Sequence, residues 1–467
     1  MNSRLALPTF AFLPFAIVSL FSGFETPLPT AKPKQTNRPP NIILILVDDM
    51  GSADVGCYRP QSSANQLPPT PHIDRLAVEG IQFTNYYSAA PICSPSRVGL
   101  ITGNQPGKWR ITSFLAERQH NRNCQQVDFL DASAPSVARE LKTAGYATAH
   151  FGKWHMGGGR DVDNAPSITQ YGFDEYASTW ESPNPDPLLT STDWIWAQSD
   201  SVKRWNRTAY FVDKTLDFLK RHSDKPCFIN LWPDDVHTPW VADETTLNEF
   251  PKGTENPREF KAVLSELDRQ IGRLMAGLKA LGIDEHTLVV FTSDNGALPT
   301  FQGQRSGLFR GSKLSLYEGG IRMPFIVRYP ARTPKGRMDN QSVLSAIDLL
   351  PTFVSMAGKK RGSTPADGEN MAAALLGNPT VRKQPLFWEY GRNNESFRYP
   401  AGRDRSPNLA MRAGAWKLLV NADGSGTELY NVATDSSEQT DVSHQQPKLV
   451  ATMKPKLLAW RAKLAKE

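Results

Sequence analysis

The sequence predicts a layered α/β fold, followed by a small antiparallel sheet with one helix, on three observations. Aliphatic runs of strand length carry no polar alternation, as in parallel strands covered on both faces. Segments with helix start and stop signals fall between these runs, the alternation that builds layered α/β proteins. After about Gly358 the pattern changes to short strands separated by turn signals.

Asn41-Ile-Ile-Leu-Ile-Leu-Val47 is the first buried strand, and it ends in Asp48-Asp49. Thr70 as N-cap and Pro71 as first helical residue open a helix over His72 to Glu79, Gly80 stops it, and Ile81 to Phe83 is extended. In Cys93-Ser-Pro-Ser-Arg97, Pro95 suits the first turn of a helix continuing through Val98 to Ile101. Position 93 therefore lies at a helix amino terminus, where backbone donors and the dipole favour an anionic nucleophile or oxyanion ligand. Ser133 and Pro135 open a helix through Leu141, Gly145 closes it, and Ala147 to Phe151 is a strand running into Gly152-Lys-Trp-His155. Leu264, Leu267, Ile271, Leu274, Leu278 and Leu281 form a helical stripe, and Thr287 to Thr292 is a buried strand ending in Ser293-Asp-Asn-Gly296. The polar, Gly-bearing stretch Lys359 to Asn370 separates a larger domain, 41–370, from a smaller one, 371–467. Pro385 to Tyr390, Leu409 to Arg412, Trp416 to Val420 and Glu428 to Asn431 are its strands. Leu449, Met453, Leu457, Trp460 and Leu464 share one side of a closing helix that Pro455 should kink.

Composition narrows the function. With 467 residues, 39% hydrophobic and 21% charged, the chain can bury a large core. A net charge of +6, spread without a basic tract, argues against dedicated nucleic-acid binding and is compatible with an anionic substrate. After Arg4, the apolar stretch Leu5 to Phe21, broken by Pro8 and Pro14, reads as a secretory signal over residues 1–24, with a linker over 25–40. The alternative is an uncleaved anchor. Signal removal would leave a periplasmic or secreted protein that does not engage a membrane. Four cysteines (Cys57, Cys93, Cys124, Cys227) are too few for a disulfide framework, though they allow one bridge.

In open α/β sheets ligands bind beyond the carboxyl ends of the strands. Asp48-Asp49, Asp294-Asn295, and Lys153 with His155 all follow predicted strands. Their oxygen ligands suit a hard divalent cation such as Ca²⁺, and the lack of a His and Cys cluster argues against zinc. Away from these motifs, four of eleven tryptophans (Trp180, Trp194, Trp196, Trp205) fall in one Pro- and Ser-rich stretch. Trp194 and Trp196 are candidates to stack sugar rings, the alternative being that they pack the loop against the domain. A basic loop, Arg392 to Arg405, includes Arg403 as a candidate for neighbouring anionic groups.

Taken in order, Asn41 to Asp49, Thr70-Pro-His-Ile-Asp-Arg-Leu-Ala77, Cys93-Ser-Pro-Ser-Arg97 with Leu100-Ile-Thr-Gly103, Gly152-Lys-Trp-His-Met-Gly157, His237-Thr-Pro239, Ser293-Asp-Asn-Gly296 and Gly311-Ser-Lys313 resemble the formylglycine-dependent sulfatases of the alkaline-phosphatase-like superfamily. Each motif alone is weak, and the ordered set is specific. The resemblance implies an α/β/α sandwich with a mixed, mostly parallel sheet. It implies that Cys93 is oxidised to formylglycine by a separate maturation enzyme, and that Asp48, Asp49, Asp294, Asn295 and residue 93 bind one Ca²⁺. The hydrated aldehyde would attack sulfur, His237 with Lys313 would protonate the leaving alcohol, and His155 would help expel sulfate. Lys153 and Lys313 would hold sulfate oxygens, and Arg97 would steady the nucleophile and the carboxylates. The substrate would be a sulfated small molecule or carbohydrate. Ala433-Thr-Asp435-Ser-Ser-Glu438 departs from the family's usual Asp-Pro-x-Glu, a change confined to packing near a turn. Two other readings are open: a phosphatase or phosphodiesterase of the same superfamily, which would need a Ser or Thr nucleophile and a zinc pair, and a non-catalytic binder of sulfated glycans with Cys93 unconverted.

Overall fold

The computed structural model describes residues 38–61, 67–250, 257–359, 366–397 and 401–464; the expected signal and nearly all of the linker lie outside the described residues. The larger sheet contains β1 (Asn41–Val47), β2 (Ile81–Tyr87), β3 (Ala147–Gly152), β4 (Glu175–Ser178), β5 (Cys227–Trp232), β6 (Thr287–Ser293), β7 (Arg322–Arg328), β8 (Arg337–Asp339) and β9 (Leu344–Ser345). Their order is β4-β3-β5-β1-β6-β7-β2-β8, with β9 also on β2. β7 alone runs antiparallel to its neighbours, so the sheet is mixed and mostly parallel.

The unalternating sequence of β1 follows from its central position between β5 and β6. Ile42, Leu44 and Leu46 point into one core, and Ile43, Ile45 and Val47 into the other. Helices Cys93–Thr102, Val137–Lys142 and Leu349–Met356 cover the first face. Helices Pro71–Val78, Arg207–Arg221 and Arg258–Ala280 cover the second. The predicted stripe from Leu264 to Leu278 is fully buried on the last of these, with Leu281 packed just beyond its end.

Several local expectations shift. The Thr70 side chain does not cap its helix but accepts the Gly56 N–H at 2.8 Å and bonds Asp74. The helix expected from Ser133 begins at Val137. β4, β5, β7, β8, β9 and the helices Arg207–Arg221 and Leu349–Met356 are among the elements additional to the expected ones. In β7, Pro324 argues against a central strand because it cannot donate to the ladder. The β2–β7 register shifts between Phe83 and Tyr86, opposite this proline, and the Tyr58 hydroxyl accepts the Phe325 N–H at 2.9 Å there.

The second sheet is antiparallel, in the order β10 (Leu386–Glu389), β11 (Leu409–Ala413), β12 (Trp416–Val420) and β13 (Glu428–Asn431). One face packs Leu409, Met411, Leu418 and Leu429 against Met453 and Leu457 of the helix Pro447–Leu464, which continues through Pro455. On the other face Ala410, Leu419 and Tyr430 join the core of the larger sheet. All four cysteines are free thiols, and no described helix is long and apolar enough to cross a membrane.

Candidate active site

The ends of four adjacent strands, β3, β5, β1 and β6, and one helix amino terminus build the site. β1 delivers Asp48 and Asp49, and β6 delivers Asp294 and Asn295. The Asp294 N–H donates to the Val47 carbonyl at 3.3 Å, and the Asp49 N–H donates to Asp294 Oδ1 at 3.2 Å, so the two strand ends are stitched together. Asp49 has φ of 59°, a left-handed conformation uncommon outside glycine and often found where a site fixes the backbone. Cys93 is the first residue of its helix and is buried, with Sγ 3.9 Å from Asp49 Oδ1. Asn295 Nδ2 donates to the same Asp49 oxygen at 2.7 Å.

Cationic side chains close around these carboxylates. Fully buried Arg97 donates from Nε to Asp294 Oδ2 at 2.9 Å, from Nη2 to Asp48 Oδ1 at 3.0 Å and from Nη1 to the Lys153 carbonyl at 2.7 Å. Lys153 Nζ reaches Asp48 Oδ2 at 2.8 Å, and Lys313 Nζ reaches Asp49 Oδ2 at 2.7 Å. The Gly-Lys-Trp-His motif needs its glycine: Gly152 has φ of 126°, and a Cβ there would lie 2.0 Å from the Trp232 carbonyl oxygen. His237 Nε2 sits 3.6 Å from Asp49 Oδ2, while its Nδ1 faces the Thr238 carbonyl at 2.6 Å. His155 Nε2 faces the Leu115 carbonyl at 3.0 Å and Glu181 Oε2 at 3.4 Å; its Nδ1 is buried without a partner.

Burial opposes ionisation of Asp48, yet Lys153, His237, Arg97 and Lys313 together hold its carboxyl well below the usual range. Asp294 goes the other way: burial, with Asp48 and Asp49 beside it, pushes it up to about 7 despite Arg97. Burial also pushes the Cys93 thiol well up, with Asp48 adding to the effect, so the unmodified side chain is not an activated thiolate. His155 is driven by burial down to about 3, which keeps it neutral.

This donor set fits a hard divalent cation. Oxygens of Asp48, Asp49 and Asp294 lie within 4.8 Å of one another. Asn295 Oδ1 is buried and has no hydrogen-bond partner, as a ligand oxygen would be before its cation arrives. A cation there would also relieve the carboxylate repulsion that raises Asp294. Contrary to expectation, a mixed group also forms here: ligand atoms of Cys93 and His237 lie with Asp48 within 4.8 Å of one another, sharing Asp48 with the oxygen set.

The candidate residues thus divide. Asp48, Asp49, Cys93, Arg97, Lys153, His237, Asp294, Asn295 and Lys313 form one network, and His155 joins it through Glu181, which lies 3.6 Å from Lys153 Nζ. Trp194 is 55% exposed and in ring contact with Trp180, which lines a neighbouring cleft of about 520 Å³. Trp196 instead packs on Trp205. Arg403 is exposed, three residues before Ser406, whose hydroxyl accepts the Leu316 N–H on the loop carrying Lys313. Two residues of the site were not expected. Glu181 contacts His155, Lys153 and Arg160, and Arg160 stacks over Trp180 at 4.6 Å. Glu181 lies three residues beyond β4, so it obeys the strand-end rule; recognising that short strand in sequence would have found it.

A sulfatase family model matches residues 40–359, and a model described as N-sulphoglucosamine sulphohydrolase, C-terminal, matches residues 307–463. The N-acetylgalactosamine-6-sulfatase of Canis lupus familiaris is 33% identical over 384 residues, covering 76% of this chain and 69% of that protein. The N-acetylgalactosamine-6-O-sulfatase of Bacteroides thetaiotaomicron is 27% identical, covering 89% and 92%. The structure of Ps i-CgsB in complex with k-i-k-neocarrahexaose superposes with a TM-score of 0.75 at 26% identity, covering 91% and 93%. The phosphonate monoester hydrolase of Agrobacterium radiobacter shares the fold, with a TM-score of 0.65 at 20% identity, covering 91% of this chain and 96% of that one. The fold is that of the alkaline-phosphatase-like hydrolases. Within that superfamily this chain belongs to the sulfatase family, and it is a sulfuric ester hydrolase.

Proposed function

We propose that this sulfatase acts on a sulfated carbohydrate, using formylglycine at position 93 and one Ca²⁺ held by Asp48, Asp49, Asp294, Asn295 and the residue 93 side chain. The observation that carries the reading is the convergence on Cys93, at a helix amino terminus, of an oxygen-rich ligand set with two buried lysines beside it. The carbohydrate assignment draws on relatives named for N-acetylgalactosamine 6-sulfate and on a related structure that holds a neocarrahexaose. When present, hydrated formylglycine supplies the oxygen nucleophile and the cation lowers the pKa of that oxygen.

The remaining work belongs to the chain's own side chains. Arg97 keeps Asp48 and Asp294 aimed at one point through its bonds to both. Lys153 and Lys313 stay charged because Asp48 and Asp49 outweigh the cost of burial, and they present ammonium groups to the sulfate oxygens. His237 turns Nδ1 to the Thr238 carbonyl, leaving Nε2 to carry the proton for the leaving alcohol. Burial lowers its pKa, and an anionic ester bound beside it would raise it again. His155 is neutral, its Nε2–H satisfied by the Leu115 carbonyl, so Nδ1 is the basic atom for the sulfate-release step. Trp194 and Arg403 are assigned to the substrate's neighbouring groups, and Trp196 to the same loop. A separate maturation enzyme would convert Cys93, and residues 1–24 would direct export.

Peptide mass analysis should find the residue 93 thiol replaced by an aldehyde in active enzyme, and elemental analysis should find one calcium. Sulfate release from a panel of defined sulfated sugars should exceed phosphate release from matched phosphates. Active enzyme with unmodified cysteine, or with two zinc ions and a phosphate preference, would overturn the reading.

A further inference from the structure

A second cleft, of about 530 Å³, shares no residue with the site above. It lies where the β8 edge of the larger sheet meets the antiparallel sheet, between Asn85 of β2, Arg322 at the start of β7, the Lys383 segment before β10 and Arg412 of β11. Its lining holds four cationic side chains (Arg322, Arg382, Lys383, Arg412), four side-chain amides and no carboxylate.

The charge on this wall is not fully compensated. Arg382 is matched by Asp348, with Nη1 at 2.5 Å and Nη2 at 3.0 Å from its two oxygens. Arg322 meets Glu318 Oε2 at 3.1 Å, but Glu318 is shared with Lys417, which lies 2.8 Å from its other oxygen. Lys417 also meets Glu438 at 2.9 Å. Arg412 spends its donors on uncharged groups: the Gly414 carbonyl, the Tyr87 hydroxyl and, at 3.5 Å, Asn85 Oδ1. Arg322, Arg412 and Lys417 thus face two carboxylates, and Lys383 at the rim has no side-chain partner among the described residues.

We infer that this cleft is a non-catalytic site for a sulfated saccharide, resting on the carbohydrate reading of the active site. Guanidinium groups match the geometry of a sulfate's oxygens, while Asn340, Gln341 and Gln384 offer both donors and acceptors to sugar hydroxyls. The volume is that of a small-ligand site, and Val381 and Pro385 give it an apolar side for the C–H face of a ring. A polymer held here raises the effective concentration of its remaining sulfate esters at the catalytic site.

Direct binding of low-molecular-weight dextran sulfate, with unsulfated dextran as control, tests the assignment independently of turnover. Lys383→Glu removes the rim charge, and Ala433→Trp fills the cleft from its exposed edge. Each should weaken dextran sulfate binding by about fivefold or more, Lys383→Glu through the loss of one charge-assisted hydrogen bond and Ala433→Trp by occupying the space of a sugar ring. Lys220→Glu, the same charge change on a helix that contributes nothing to the cleft, should change binding less than about twofold. Hydrolysis of a small aryl sulfate should stay at the parent's rate in all three. Equal losses in Lys383→Glu and Lys220→Glu, or no loss in Ala433→Trp, would overturn the inference. Displacement of the polymer by stoichiometric inorganic sulfate would show a simple anion site and overturn the saccharide assignment. Failure of the enzyme to cleave sulfated sugars would count against the active-site reading and leave the binding measurement interpretable.

Discussion

His155 and His237 differ in what their ring nitrogens touch, and that difference separates their effects. His237 presents Nε2 toward Asp49 from a partly open position, as a donor to a departing oxygen should. A good leaving group needs little protonation, so His237→Ala should cost an alkyl or sugar sulfate about a hundredfold in kcat/KM and an activated aryl sulfate far less. Equal losses on both substrates would contradict the assignment. His155→Ala should slow both alike, because it acts after the alcohol has left. Glu181 steadies His155 and Lys153 from behind, with its own carboxyl held at about 2: burial works against it and His155, Lys153 and Arg160 outweigh burial. Glu181→Gln should lower kcat by about tenfold, roughly 1.4 kcal/mol of barrier, with KM for an aryl sulfate nearly unchanged and partial recovery in Glu181→Asp. A loss confined to KM would place Glu181 in substrate binding instead.

At the scale of elements, the strand ends explain why so much of the site was legible. Buried runs such as Ile42 to Val47 and Leu288 to Phe291 are uniformly apolar because both faces are covered, and the polar residues that end them stand out. Elements that depart from this pattern were harder to read. β4 is four residues long at the sheet edge, β7 contains Pro324, and β5 mixes Asn230 into its buried run, so periodicity did not mark them and Glu181 went unnoticed. The tryptophan loop shows the same limit, since only tertiary packing tells Trp194 from Trp196. Arg207 pins that loop by donating to the Leu189 and Ile195 carbonyls at 2.9 and 2.7 Å. Trp194→Ala should raise KM for a sulfated oligosaccharide about threefold or more and leave aryl sulfate hydrolysis unchanged, as a lost stacking contact would. Trp196→Ala should lower Tm with a smaller change in KM, because Trp196 packs against Trp205. A reversed pattern would exchange the two roles.

Across the whole molecule, the two sheets are joined by a buried ionic cluster, and the unusual turn Asp435-Ser-Ser-Glu438 supplies one of its members. Glu438 is fully buried, accepts the Glu318 N–H at 2.6 Å and meets Lys417 of β12 at 2.9 Å. The missing proline of that turn therefore leaves the carboxylate's structural task intact. Glu318 takes the stronger share of the cations: burial opposes its charge, yet Lys417, Arg322 and Arg412 hold it at about 2. Glu438 is left with burial and the adjacent Glu318 charge, which push it up to about 7 against Lys417. A carboxyl whose pKa is raised on folding stabilises the fold in its protonated form. That contribution is complete below the unfolded value near 4.5 and is lost as pH rises through about 7, at roughly 1.4 kcal/mol for each unit of pKa difference. Glu438→Gln keeps an acceptor for the Glu318 N–H and cannot ionise. Its Tm should match the parent's near pH 4.5, rise above it progressively toward pH 7 and level off at a constant excess above that, in thermal unfolding followed at a series of pH values. A constant offset between the two proteins across this range would mean that Glu438 does not change its protonation on folding, and a growing deficit in the variant would mean that the ionised pair with Lys417 is what holds the sheets together.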